Sequence, residues 1–149
     1  MALLSPADQQ ALRDAFLQLS RRVRLVFFTQ TIGCDTCVQT REILDELPPL
    51  SDKLVVEEVN LVLEKDKAAQ FGVDRAPTIA LLYDDPDSNG EPKDSRIRFL
   101  GAPAGYEFAS LVHAVLLAGG RTPMLGPGTL EKLAAVEKPL TMQVFTTPT

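Results

Sequence analysis

Apolar residues fall along this chain in two rhythms, one helical and one strand-like, and their alternation predicts the elements. Near the start, Leu12, Phe16 and Leu19 recur at helical spacing behind Ser5, Pro6 and Asp8. Those three polar and cyclic residues are a helix-start signal. A hydroxyl can accept a free amide, a proline loses nothing in the first turn, and an acid faces the positive helix end. Residues 23–29 then form a continuous β-branched and aromatic run, short enough to be a strand buried on both faces. Helical spacing returns with Val38, Ile43, Leu44 and Leu47, and Pro48-Pro49 stops it. A strand over 54–61, a short helix over 66–71 closed by Gly72, and a second apolar strand over 78–83 follow.

The stretch 84–94 contains Asp-Pro, Asn-Gly and Glu-Pro, all turn signals, and Arg96-Ile97-Arg98-Phe99 after it alternates with period two. This predicts a hairpin with a long loop. Tyr106, Phe108, Leu111, Val112, Val115 and Leu116 make a further amphipathic helix ended by Gly119-Gly120. The order is therefore α, β, α, β, α, β, β, α. Residues 121–128 are rich in Pro and Gly and read as a linker, after which Leu130, Leu133 and Ala134 restart a helix.

Beyond the linker the chain repeats itself. Setting Thr29 against Thr146 aligns Phe28 with Phe145, Leu25 with Met142, Val23 with Leu140 and Phe16 with Leu133. The expectation is a first domain over 1–120, with 121–149 as the linker, helix and first strand of a second unit, cut before its own cysteine motif would be due. A strand at 141–145 without a sheet should lie along the first sheet's edge, dock on another chain or be poorly ordered, because an unpaired apolar strand invites pairing.

Composition narrows the setting. With 149 residues and 45% of them hydrophobic, one core can form without staples. The formal charge of −5 is dispersed among mixed acids and bases, an ordinary solvated surface that argues against nucleic acid. The first residues lack the basic, apolar and small-residue zones of a signal peptide, and no apolar run approaches the roughly 20 residues of a membrane span. A reducing cytoplasm is the default compartment, with no membrane partner.

Only two cysteines occur, three positions apart. A disulfide closing so small a loop would contribute about 2 kcal/mol in the chain-entropy account, against about 3 for a loop of about 15 residues. Stabilisation is not the reason for this placement. Cys34-Asp35-Thr36-Cys37 instead lies between a buried strand and a helix start, where unpaired amides and a partial positive charge favour a thiolate. Cys34 is then the nucleophile and Cys37, one turn on, the resolving thiol. Two inert buried cysteines are a weaker reading, since burial does not explain the position. Half of a metal site is another, but zinc takes about four ligands. The chain offers two thiols and His113, which sits in an apolar helical stretch and receives no role. No metal and no cofactor beyond a redox-active disulfide is expected. Of Glu57 and Glu58 on the second strand, only one can face the core.

The strand, the Cys34-to-Cys37 motif at a helix start, and Ala76-Pro77-Thr78 opening a later strand together resemble the thioredoxin superfamily over about residues 21–118. Within it the chain is most similar to the two-unit protein disulfide oxidoreductases, glutaredoxin-like proteins built from tandem thioredoxin folds. The N-terminal region of the flavoprotein alkyl hydroperoxide reductases is similarly tandem. The resemblance implies an α/β thioredoxin-like fold. Its four-stranded mixed sheet is flanked by helices, with an extra N-terminal helix and a C-terminal helix-strand extension. It also implies a cis Pro77 beside the sulfurs, and an Ala76 backbone that pairs with a bound substrate chain. An ordinary trans proline at a strand entry is the alternative.

Three departures matter. Phe28 stands where thioredoxins proper keep a buried aspartate, which leaves Glu58 as the nearby candidate for relaying a proton from Cys37. Ile32-Gly33, without tryptophan, precedes the motif. Asp35 lies between the cysteines, and a carboxylate there opposes a thiolate, so the pair should be less oxidising than strong disulfide donors. The leading expectation is a protein disulfide oxidoreductase acting on disulfide-containing proteins or peptides, recharged by a reductase or glutathione, as a monomer or weak dimer. The others are a docking module or electron relay domain with weakly active cysteines, and metal held between two copies by paired Cys34/Cys37 sites.

Overall fold

The computed structural model describes residues 3–147, so the first two residues of the expected segment 1–120 and the last two of 121–149 lie outside it. Helix α1, Pro6–Phe16, starts where the sequence signals it: the Ser5 Oγ accepts the Asp8 N–H at 3.1 Å. Strand β1, Val23–Thr29, is almost wholly buried. Helix α2, Cys37–Asp45, follows, and Pro48–Leu50 forms a single 3-10 turn where the paired prolines interrupt it. Then come β2, Leu54–Asn60, α3, Lys65–Gln70, β3, Thr78–Asp84, β4, Pro92–Leu100, α4, Tyr106–Ala118, and α5, Pro127–Ala134.

The strands form one mixed sheet in the order β2-β1-β3-β4. β1 runs parallel to β2 and antiparallel to β3, with Phe27 opposite both Glu58 and Ile79. Its central place explains its apolar run over residues 25–28, with Arg24 near its start paired to Asp84. Leu25 and Phe27 point into one core with Phe16, Leu44, Leu111 and Val115, from α1, α2 and α4. Val26 and Phe28 point into a smaller core with Val59, Ala68 and Val73, under α3. Burial of each such side chain is worth about 1.5–3 kcal/mol.

Two local departures from the sequence pattern have clear causes. β4 begins at Pro92, four positions before the alternation at Arg96, because a bulge interrupts its register opposite β3. There Arg96 has φ +66°, and the Ser95 hydroxyl donates to the Leu81 carbonyl at 2.6 Å in place of a ladder bond. Val38, although apolar, is exposed, and the buried stripe of α2 is Cys37, Thr40, Ile43 and Leu44.

Gly119-Gly120 does more than end a helix. Ser20 N–H donates to the Gly119 carbonyl at 2.9 Å and Arg21 Nε to that of Ala118 at 2.7 Å, clasping the α1–β1 turn onto the end of α4. A Cβ at Gly119 would lie 2.1 Å from Leu19 Cδ2.

The C-terminal segment behaves differently from the rest. α5 forms, yet residues 122–147 are exposed throughout. Residues 141–145 pair with no strand, and Leu140, Met142, Val144 and Phe145 are between 74% and 91% exposed. The extension thus keeps its helix but not its strand: the outer edges of β2 and β4 are both open, yet residues 141–145 lie along neither, so the expected pairing with the first sheet's edge does not occur. Among the described residues, no helix is long and apolar enough to cross a membrane.

Candidate redox site

The site grows out of the central strand. β1 delivers the chain to a turn at 30–33, and Gly33 takes a left-handed φ of +73° just before Cys34. Cys34 is half-buried, whereas Cys37, the first residue of α2, is 4% exposed and belongs to the larger core. The two are joined as a disulfide with Cα atoms 5.5 Å apart. Partial exposure suits a nucleophile and burial suits a resolving thiol, the roles the sequence suggests.

The α2 entry is left open to an anion. Thr36 caps the helix without a side-chain hydrogen bond, and no acidic side chain sits in the first turn of α2 itself. Among the described residues, the N–H groups of Asp35 and Thr36 have no acceptor, while Cys37 N–H reaches the Cys34 carbonyl at 3.4 Å. Free donors at a helix start stabilise a sulfur anion placed beside them. The Thr40 hydroxyl, fully buried, donates back to the Thr36 carbonyl at 2.8 Å and tightens this first turn.

The second wall is the entry to β3. The Ala76–Pro77 peptide is cis, and Ala76 packs against the cluster that contains both cysteines. The Thr78 hydroxyl donates to the Arg75 carbonyl at 2.7 Å, and Gly101 N–H donates to the Pro77 carbonyl at 2.9 Å, so the turn is held on both sides. The Ala76 N–H and carbonyl have no backbone partner among the described residues. Ile32 and Val38, both strongly exposed, add apolar surface next to the motif.

The two glutamates of β2 lie on opposite faces, as alternation requires. Glu57 pairs with Lys67 of α3, and Glu58 with Arg41 of α2. Arg41 Nε and Nη2 each donate to one Glu58 oxygen, the first at 2.9 Å, and this fork raises the Arg41 pKa. Among the described residues, no hydrogen bond joins Glu58 to either cysteine. His113 is exposed on α4, with Arg121 Nη2 3.0 Å from its Nδ1. Among the described residues, no group of three or more His, Cys, Asp or Glu is arranged to hold a metal.

A groove of about 370 Å³ opens between the segment before α1, helix α2 and the start of α4, lined by Leu4, Ile43, Pro103 and Phe108 with Glu42 and Glu46 at its edge. Neither cysteine lines it, so the chemistry and this apolar groove are separate. The side chain sequence reasoning missed is Gln30, whose Nε2 donates to the carbonyls of Ile32 and Gly33 at 2.9 and 3.2 Å. No motif marks a lone glutamine, and only the folded turn shows what it holds.

No protein-family model matches the chain. The N-terminal domain of alkylhydroperoxide reductase AhpF from Enterococcus faecalis superposes with a TM-score of 0.77 at 25% identity, covering 91% of this chain and 62% of that one. A protein disulfide oxidoreductase from Aeropyrum pernix superposes with a TM-score of 0.72 at 25% identity, covering 88% of this chain and 54% of that one. In sequence, an NADH dehydrogenase of Ferdinandcohnia aciditolerans is 32% identical over 95 residues, 64% of this chain and 15% of that protein. The chain spans between 15% and 20% of the length of the first curated relatives it matches. It has the thioredoxin-like fold and resembles the tandem thioredoxin-fold proteins, among them the N-terminal domain of that alkylhydroperoxide reductase and the archaeal disulfide oxidoreductase.

Proposed function

We propose that the chain is a thiol-disulfide oxidoreductase working on disulfide-containing proteins or peptides. The observation that carries the reading is the Cys34–Cys37 pair at an uncapped helix start, with one sulfur half-exposed and its mate buried. In the reduced protein, the Cys34 thiolate attacks a substrate disulfide. One substrate sulfur leaves as a thiolate, and the other stays bound to Cys34. Cys37, losing its proton, then attacks Cys34 and releases the second substrate thiolate, so two electrons pass to the substrate and the pair ends oxidised. A reductase or glutathione restores the dithiol, and no further cofactor takes part. The reading places this chemistry in a reducing cytoplasm, with the chain a monomer or weak dimer.

Ala76 and Pro77 are the substrate-side residues in this reading. The unpartnered Ala76 backbone offers a donor and an acceptor to an extended chain, and exposed Ile32 and Val38 offer it apolar contact. A relay of the Cys37 proton through Glu58 requires Arg41 to release a carboxylate oxygen, and Glu58→Gln tests it by the rate at which the mixed disulfide resolves.

Insulin-disulfide reduction decides the main reading. The native chain should turn over, Cys34→Ser should be inert, and Cys37→Ser should accumulate a mixed disulfide without turnover. A Cys34→Ser chain as active as the native one sinks it.

A second reading, an electron relay domain of a larger redox protein, is favoured by two observations. Its relatives include an NADH dehydrogenase and an alkyl hydroperoxide reductase of Staphylococcus epidermidis, of each of which it matches a minor part. Residues 122–147 also leave an apolar surface without a partner among the described residues. On that reading, 121–149 is the linker, helix and first strand of a second thioredoxin-like unit, as the internal repeat suggests. Reduction of the Cys34–Cys37 disulfide by NADH with a flavoprotein reductase, faster than by glutathione, would favour the relay.

A further inference from the structure

Gln30 lies one residue beyond β1, and its side chain spans the turn that leads to Cys34. Its Nε2 donates to the Ile32 carbonyl at 2.9 Å and to the Gly33 carbonyl at 3.2 Å. Both protons of the amide nitrogen are thereby used on the two carbonyls just before the nucleophile. The Gly33 carbonyl belongs to the same peptide group as the Cys34 N–H. A donor on that oxygen polarises the group and strengthens its N–H as a donor. The turn also sets where the Cys34 sulfur stands relative to the free Asp35 and Thr36 amides.

The rest of the turn is poorly supported. Residues 31–33 are exposed, Ile32 is 87% exposed, and none of their N–H groups or carbonyls has a backbone partner among the described residues. A Cβ on Gly33 would lie 3.6 Å from Gln30 Nε2, an ordinary contact, so packing does not lock the turn either. The side-chain amide is its one polar tie among the described residues.

We propose that Gln30 is a positioning residue for Cys34, holding the 31–33 turn so that the sulfur meets the free amides of the α2 entry. Its use rests on the thiol-disulfide reading, but its test does not, because Cys34 ionisation is measured without a substrate.

The reduced chain is titrated through thiolate absorbance and through alkylation rate against pH, for the native protein, Gln30→Ala and Gln30→Glu, with melting temperature recorded for each. Gln30→Ala should raise the Cys34 pKa by a few tenths of a unit. Gln30→Glu removes the donors and adds a nearby negative charge, and should raise it by about one unit. Alkylation near neutral pH should fall in the same order, up to about tenfold, with the melting temperatures nearly unchanged. Gln30→Leu, similar in size and apolar, should follow Gln30→Ala and replaces Gln30→Glu if that variant does not fold. Identical Cys34 titration in the native and altered chains overturns the proposal, as does a shift that merely follows loss of folding. If the Gln30 shifts hold while the native dithiol fails to reduce insulin, the oxidoreductase reading falls and this one stands.

Discussion

Asp35 separates the cysteines and is exposed. Its carboxylate shares the helix entry with Cys34, so the fixed amides that favour the thiolate work against a neighbouring negative charge. A less stabilised thiolate makes the reduced form less favoured and the disulfide a weaker oxidant. Replacing Asp35 by Asn should therefore raise the oxidising power, read as a shift of the equilibrium with glutathione toward the reduced protein. An unchanged equilibrium would show that solvent screens the charge, and a shift the other way would overturn this account of Asp35. Cys34, Cys37 and Asp35 are readable from the sequence as candidates, because a dithiol motif at a helix start is marked by residue type at short spacing. Gln30 is not, because its role depends on which carbonyls a turn brings within reach.

Among the elements, the end of α4 and the far edge of the sheet carry the sharpest expectations. Gly119 packs where a methyl group would collide with Leu19, in the clasp between α4 and the α1–β1 turn. Gly119→Ala should cost about 1–3 kcal/mol in denaturant unfolding, the usual range for overpacking. The glycine pair is visible in the sequence as a helix stop, but the close approach comes from residues far away along the chain.

Arg98 of β4 ties its own strand to the α3 side by donating to the Phe71 carbonyl at 3.1 Å, and it grips Asp94 through two oxygens. That grip holds the Asp94 pKa below its ordinary value. A carboxylate lowered in the folded state binds fewer protons there than in the unfolded chain near its titration range. Its contribution is thus present above the ordinary carboxylate value of about 3.9 and is lost as pH falls through the lower folded value. Acid unfolding followed by circular dichroism should show this, with Asp94→Asn flattening the pH dependence in that window. Equal acid sensitivity in both proteins would assign the loss to other carboxylates.

Across the whole molecule, the contrast is between a sheet with a core on each face and a tail with none of its apolar residues buried. Residues 122–147 add no buried residue to either core, so their removal takes little from the fold. A chain ending at Arg121 should unfold within about 0.5 kcal/mol of the full chain, the usual range for surface changes. Limited proteolysis of the full chain should cut first in this segment. A large loss of stability on truncation would show that the segment packs on the domain in solution.

From residue order alone came the helix and strand succession through α4, the dithiol at a helix start and the proline that opens β3. These depend on local rhythm, capping and turn chemistry, which act over a few neighbours. Tertiary structure decided that Glu58 forks with Arg41, that a bulge lets β4 begin at Pro92, that Gly119 admits Leu19, and that 141–145 forms no strand. Each of those outcomes turns on which distant residues the fold brings together, and a strand-like sequence becomes a strand only when it is brought against another strand and pairs with it.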